Sequence, residues 1–391
     1  MGDGETLLLV LSLLYLSDCL LWVRNQSVAF VSPWCRRWRV ARANSLIGNE
    51  RGSLLFLNPL PPLGRVFLSH LSPVSVSPIG VCAFNPQALF RLGRAAQSGQ
   101  TLTFAEITRA STDGAYLLIN SRKFTKCATA KQARTIAKVI SATVAADACE
   151  RDRLIRDYLA KQFALDEATA QLRKGDDIIG PIQFMCCVFF VFLLVATPLL
   201  VNTYGLLRLI IPVGVAIVIF AVQISIMFYR GHKKLYPHDT QERIENVIKM
   251  VLCPPVSIRA TDLLTKNLLS EYSPVVLAAL VSGSAAKEFV RAFILDLQHP
   301  LAHDVTDVTS AEIISWATVA QLSLCLDHLI RSGFSNPNVL LAPPTQDGNS
   351  TSYCPRCRGQ FVVDSRRCPD CPGVGLLAFP DPDETGVGGA L

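Results

Sequence analysis

Three long apolar segments stand out from the pattern of polar and apolar positions. They cover residues 6–23, 184–201 and 206–228. At about 1.5 Å per residue, each helix comes close to or exceeds the ~30 Å hydrocarbon core of a bilayer. Only residues 202–205 separate the last two segments, so they predict a tight helical hairpin. The pattern therefore predicts three transmembrane helices, one at the N-terminus and two in a central hairpin.

Basic residues lie on one side of these segments, and the hairpin turn at 202–205 has none. The basic flanking residues are Arg24, Arg36, Arg37, Arg39, Arg42, Arg173, Lys174, Arg230, Lys233 and Lys234. By the positive-inside rule, this asymmetry places the N-terminus outside and the bulk of the chain and the C-terminus in the cytosol. The acidic start, MGDGE, does not fit a cleaved signal peptide. We expect an integral protein of a plasma or inner membrane, with residues 1–23 as anchor and residues 182–229 as hairpin.

Residues 24–175 predict a cytosolic domain of the α+β class. Short alternating runs at residues 73–84, 101–107 and 114–124 are typical of strands in a small antiparallel sheet. Apolar residues then recur with helical spacing at residues 136–144 and near 150–172. The first of these helices must cover the sheet with its apolar face.

This order of strands followed by a closing helix, over about residues 65–148, resembles part of a PH-like domain. The resemblance implies binding of a lipid headgroup or a protein rather than catalysis. It also implies candidate anion contacts at Arg109, Arg122, Lys123 and Lys126. The alternative is a generic α+β domain in which these cations form an ordinary solvated face.

Residues 239–335 predict a cytosolic helical region that contains one polar cluster. The cluster comprises His299, His303, Asp304 and Asp307. Histidine and aspartate together can bind a metal or perform acid–base chemistry, but Pro300 interrupts the helix that would align the two histidines. The alternative is a loop whose acids cap the following helix. The chain has no P-loop, no GxSxG and no HExxH motif.

Two CxxC pairs follow a polar linker at residues 336–352. The cysteines are Cys354, Cys357, Cys368 and Cys371. Each pair can bend into a knuckle that aims two thiolates at one point, and two knuckles complete a tetrahedron. Residues 353–379 therefore resemble the zinc-ribbon family, which implies a structural zinc ion. Iron in a rubredoxin-like site and a redox dithiol are the alternatives, and residues 380–391 predict a disordered tail.

Composition and charge agree with a membrane protein. Only 17% of the residues are charged and the mean hydropathy is +0.34, whereas soluble domains carry about a quarter charged residues. The 13 cysteines, several of them inside apolar runs, indicate a reducing compartment rather than a disulfide framework. The net charge of +6 is explained by the membrane flanks and by the basic ribbon residues, so nucleic acid is compatible but not favoured as a partner.

The sequence favours a non-enzymatic binding or assembly protein at the membrane. Four thiolates close the zinc coordination shell and leave no open position for catalysis. The expected partners are membrane lipid and a protein that contacts the ribbon or the cytosolic domains, and an oligomer is compatible with the hairpin. Two alternatives remain: a membrane-associated enzyme that uses the polar cluster, and a transporter subunit.

Overall fold

The computed structural model describes residues 3–23, 27–33, 39–42, 54–57, 62–70, 73–84, 98–280, 284–299, 308–362, 366–371 and 373–379. The chain divides into two units, Met1–Ser282 and Gly283–Leu391. The architecture is mixed α/β and mostly helical, with small antiparallel sheets. The division falls inside the region 239–335 that the sequence analysis treated as one.

In the first unit, the described strands pair into small antiparallel sheets. The strands are β1 (Leu20–Val23), β2 (Ser27–Pro33), β3 (Arg39–Arg42), β4 (Leu54–Leu57), β5 (Gly64–His70), β6 (Val74–Val76), β7 (Gly80–Phe84), β8 (Ser98–Thr103), β9 (Ala110–Asp113), β10 (Tyr116–Ile119) and β11 (Arg122–Lys126). Their orders are β1-β4, β3-β2-β5, β6-β7-β8 and β11-β10-β9. The strands predicted at 73–84 and 114–124 are present, and the run at 101–107 ends as a 3-10 turn at Phe104–Glu106. The sequence analysis did not predict β9 or the strands before residue 70.

Helix α2 (Ala130–Ala145) closes the β11-β10-β9 sheet, as predicted for residues 136–144. Thr129 begins the helix, because its side chain accepts a hydrogen bond from the backbone N–H of Gln132 at 3.1 Å. Ile136 and Ile140 are fully buried on the face that packs against β9 and β10. The next helix, α3, covers Ala148–Lys161.

The central hairpin is confirmed, but its first helix is much longer than its apolar segment. Helix α4 (Leu165–Val191) continues through a π-helical turn (Phe192–Ala196) into α5 (Thr197–Tyr204), and α6 covers Leu206–Leu235. Gly205, with φ +82°, reverses the chain between them. This helix therefore begins before the predicted span at residues 182–229, because hydropathy marks only the apolar part of a helix whose charged first half is equally helical.

The N-terminal segment is a shorter helix than predicted. Helix α1 covers Asp3–Asp18, or about 24 Å, and residues 20–23 form strand β1, paired with β4. Prediction of one helix over residues 6–23 is wrong at its end, because apolar residues suit a strand as well as a helix. Helix α1 lies along the hairpin. A Cβ added at Gly4 would lie 2.9 Å from the carbonyl oxygen of Pro198, near the turn, and the Tyr15 ring lies 5.1 Å from that of Phe190.

Three described helices are long and apolar enough to cross a membrane, which suggests a membrane protein. They cover Leu165–Tyr204, Leu206–Leu235 and Val308–Ser332, with mean hydropathies of 2.8, 2.7 and 1.4. Helix α1 is apolar but shorter than this class. The third candidate thus lies in the predicted cytosolic helical region and not at the N-terminus.

The remaining elements of the first unit follow the hairpin. They are α7 (Thr240–Leu252), a 3-10 segment (Pro254–Arg259), α8 (Ala260–Thr265) and α9 (Pro274–Leu280). Two prolines end α7, and the 3-10 segment packs against α4 and α6.

The second unit contains helices and one small sheet. These are α10 (Ser284–Gln298), α11 (Val308–Ser332), α12 (Pro337–Leu340), β12 (Ser352–Tyr353), β13 (Gln360–Phe361) and β14 (Leu377–Ala378). Helix α10 packs against α11, and the strands form a β13-β12-β14 sheet. The helical character predicted for residues 239–335 is confirmed in the part that the structure describes.

Candidate metal centre

Two backbone turns bring the four C-terminal cysteines together. In the first turn, the N–H of Arg358 donates to the carbonyl of Cys354, and the N–H of Cys354 donates to the carbonyl of Gly359, both at 2.9 Å. In the second, the N–H of Val374 donates to the carbonyl of Cys371 at 3.0 Å. Both turns need a left-handed residue after the second cysteine. Gly373 supplies it in one, but Arg358, at φ +62°, supplies it in the other.

The sulfur atoms have the spacing of a tetrahedral thiolate site. All four Sγ atoms lie within 4.8 Å of one another, and Cys357 Sγ is 3.7 Å from Cys368 Sγ. A zinc–sulfur bond of about 2.3 Å places tetrahedral ligands about 3.8 Å apart. The cluster could therefore hold a metal ion, and it is consistent with the predicted zinc-ribbon-like segment.

The cluster favours a bound cation over four free thiols. Burial raises the pKa of the Cys357 thiol to about 11 and also raises the pKa of Cys371. Burial acts in the same direction on Cys354, but hydrogen bonds from the N–H groups of Cys357 and Arg356 outweigh it and lower its pKa overall. One thiolate is thus stabilised, whereas burial first, and then the charge of the neighbouring sulfurs, opposes ionisation of Cys357 and Cys371. A divalent ion removes that repulsion.

Little apolar packing supports the β13-β12-β14 sheet of the second unit. Val374 is buried with the cysteines, and among the described residues of this segment Phe361 and Leu376 add partly buried apolar side chains. The ribbon also contacts α10 through Arg356, whose Nε lies 3.1 Å from Asp296 Oδ1. Four arginines make this segment basic: Arg356, Arg358, Arg366 and Arg367. Arg356 forms this ion pair with Asp296, and the side chain of Arg366 is exposed.

The predicted polar cluster is described only at His299. This residue follows the last turn of α10, and its N–H donates to the carbonyl of Leu295 at 2.9 Å. Burial, and then Arg356, lower its pKa. His303, Asp304 and Asp307 lie outside the described residues. The metal or catalytic role of the cluster stays a prediction.

The candidate anion contacts of the PH-like region lie on an exposed face. Arg109, Arg122, Lys123 and Lys126 are all exposed. The ammonium groups of Lys123 and Lys126 lie 4.6 and 5.6 Å from the centre of the Tyr116 ring. Both lysines thus lie within cation–π distance of the same ring.

Sequence reasoning missed a polar contact at the base of the hairpin. Gln183, directly before the apolar segment, is buried; its side-chain amide donates to the carbonyl of Pro62 at 3.3 Å and accepts from Arg65 Nε at 2.9 Å. It also missed a basic stripe on α2, formed by Lys131, Arg134 and Lys138, which helical periodicity could have found. Comparison with models of known protein families, with curated proteins and with solved structures finds no match for this chain.

Proposed function

We propose that this protein is a non-enzymatic adaptor at a membrane, with a zinc ribbon that presents a protein-binding surface in the cytosol. The observation that supports this most is the four-cysteine cluster. Four thiolates saturate a tetrahedral zinc ion and leave no position for a substrate or an activated water. A closed site of this kind stabilises the fold of the surrounding segment and does not catalyse a reaction.

Zinc is the proposed metal because the ligands and surroundings suit it. Thiolates select soft ions such as zinc and iron, and zinc needs no redox partner. The small apolar core around Val374 also requires a metal for folding, which is the usual role of structural zinc. Iron would give a visible chromophore, so the absorption spectrum separates the two ions.

The proposed orientation keeps the N-terminus outside and the ribbon inside. Helix α1 begins near the hairpin turn at Pro198 and passes Phe190 on its way to Cys19, so it follows the hairpin from one end toward the other. With basic residues gathered at the C-terminal end of α6, this supports crossing by α1, α4–α5 and α6.

Membrane lipid is the second proposed partner, and α7 supports it. This helix carries large apolar side chains that are exposed on one face: Ile244, Ile248, Val251 and Leu252, the last at 79% exposure. Its C-terminal end leads to Ser257, whose carbonyl accepts a hydrogen bond from Cys186 Sγ at 3.4 Å, at the base of the hairpin. An apolar face beside a membrane span is suited to the lipid interface.

The test asks whether the recovery of a partner protein depends on an intact ribbon. The full chain is purified from cross-linked membranes as the wild type, as Cys371→Ser and as Cys149→Ser, in which an exposed cysteine on α3 is changed. We expect a protein recovered stoichiometrically with the wild type and Cys149→Ser, and lost with Cys371→Ser. Equal recovery with all three would contradict a ribbon-based adaptor, as would the absence of any stoichiometric protein.

A further inference from the structure

A cavity of about 390 Å³ lies beside the end of α6 that is distant from the hairpin turn. Helix α2 forms one wall, and residues 235–239 and 267–271 contribute to the others. Lys131, Arg134 and Lys138 line it at helical spacing i, i+3 and i+7, so one face of α2 presents three cations. His238 adds a titratable group at the same site.

The acidic residues in the wall are already engaged. Asp239 Oδ1 accepts the N–H of Ala130 at 2.7 Å, and Glu271 Oε2 lies 2.5 Å from Lys131 Nζ. Arg134 and Lys138 form no ion pair within 4.0 Å in the part of the chain that the structure describes. The cavity therefore has a surplus of positive charge at these two side chains.

Two buried atoms specify the ligand further. Arg134 Nη2 is a hydrogen-bond donor and Glu271 Oε1 an acceptor, and neither has a hydrogen-bond partner among the described residues. A buried polar group without a partner costs ~1–3 kcal/mol, which a complementary ligand recovers. A ligand that meets both needs carries anionic oxygens for Arg134 and a hydroxyl for Glu271.

The position of the cavity relates it to the membrane surface. Leu235 lies seven residues after Phe228, where the apolar segment ends, which corresponds to about 10 Å along α6. The polar layer of a bilayer extends about 5–8 Å beyond the hydrocarbon core. The cavity therefore begins just past this layer, where long lysine side chains such as Lys138 reach headgroups or soluble anions.

We propose that this cavity binds a phosphate ester of a polyol, with the phosphate at Arg134 and Lys138 and a polyol hydroxyl at Glu271. Arginine binds phosphate through a planar fork of N–H donors, and the volume exceeds what a lone phosphate fills. The same chemistry occurs in a lipid headgroup and in a free glycerol phosphate, so the experiment has an arm for each.

The test is ligand-dependent thermal unfolding of the full chain in a neutral detergent. The soluble arm adds glycerol 3-phosphate, and the lipid arm adds phosphatidylglycerol, with phosphatidylcholine as its reference. A site-specific ligand at 100 times its dissociation constant raises the unfolding temperature by about 5–10 °C. Arg134→Gln and Lys138→Gln remove the proposed contacts, and Arg153→Gln makes the same charge change on α3, outside the cavity wall.

We expect a rise in unfolding temperature in at least one arm that is retained in Arg153→Gln. The apparent affinity should fall about 10-fold or more in Arg134→Gln and several-fold in Lys138→Gln. Because Lys138 is exposed, the second variant keeps the test valid if the first does not fold. A shift in one arm alone identifies the source of the ligand. No shift in either arm, or an equal loss in Arg153→Gln, overturns the proposal.

Discussion

Replacing one cysteine of the ribbon should release its metal and unfold the ribbon without unfolding the first unit. Cys371→Ser exchanges a buried thiolate ligand for a hydroxyl that binds zinc poorly. Structural zinc contributes about 10–16 kcal/mol to the folding of a small ribbon. A fully buried apolar side chain contributes only ~1.5–3 kcal/mol, and this ribbon has Val374 with the partly buried Phe361 and Leu376. The metal therefore decides whether the ribbon folds.

The assay combines metal content with limited trypsin digestion of the full chain in detergent. The wild type and Cys149→Ser should contain about one zinc ion per chain, and Cys371→Ser less than about a tenth of that. Trypsin reports on folding because Arg356 and Arg358 lie in the first knuckle and are only partly exposed. Cleavage at these two sites should become at least about 10-fold faster in Cys371→Ser, while cleavage at Arg153, an exposed residue of α3, stays unchanged.

Two results would refute this reasoning. One is wild-type protein that contains no metal and still resists cleavage at Arg358, because the ribbon would then fold on its own packing. The other is full zinc occupancy in Cys371→Ser, because the ligand set would then be different. If the protein instead contains about one iron ion per chain, the closed thiolate site is still supported and only the identity of the metal changes.

The remaining predictions test the knuckle, the hairpin and the orientation. Arg358→Gly should relieve a left-handed non-glycine residue and slow chelator-driven zinc loss about 5-fold, whereas Arg358→Ala, which keeps the strain, should not. Gly231→Val should destabilise the hairpin by about 1–3 kcal/mol, because even a Cβ there lies 3.0 Å from Ile182 Cδ1. Gly214→Val is its matched control, since a Cβ there meets no atom within 4 Å apart from the neighbouring backbone of its own helix, and thermal unfolding measures both. A reporter fused after Leu391 should be active only in the cytosol; external activity would contradict the orientation.

Spacing in the sequence predicted the cysteine cluster well, because the chemistry is local. Each CxxC pair forms its own turn, so the pattern places Cys354 and Cys357 together whatever the rest of the fold does. The central hairpin was predictable for a similar reason, because a connection as short as Gly205 brings two apolar helices into contact with each other. Arg356 was less predictable. Its pairing with Asp296 joins residues 60 positions apart in the sequence.

The N-terminal strands show where the sequence could not decide. Residues 20–23 are apolar and extend an apolar helix, so hydropathy alone continues the helix through them. In the strand, their backbone groups form hydrogen bonds with residues 54–57. In a helix, the same groups would form hydrogen bonds with residues nearby in the sequence. Only knowledge of the distant partner strand separates the two outcomes. The cavity beside α2 could not be predicted from the sequence for the same reason, because two of its lining residues, Lys131 and Glu271, are 140 positions apart.

Helix α11 shows why length and hydropathy do not settle a membrane crossing. Its mean hydropathy of 1.4 qualifies it as a span, yet it packs against α10, which carries Lys287, Glu288, Arg291 and Asp296. A charge at the centre of a bilayer costs at least ~2.5–3.5 kcal/mol, and a crossing by α11 would draw its charged neighbour toward the hydrocarbon. The buried stripe of α11, which includes Ile313 and Ala317, instead has its partner in α10. This argues against a crossing by α11, which belongs to the same unit as the ribbon.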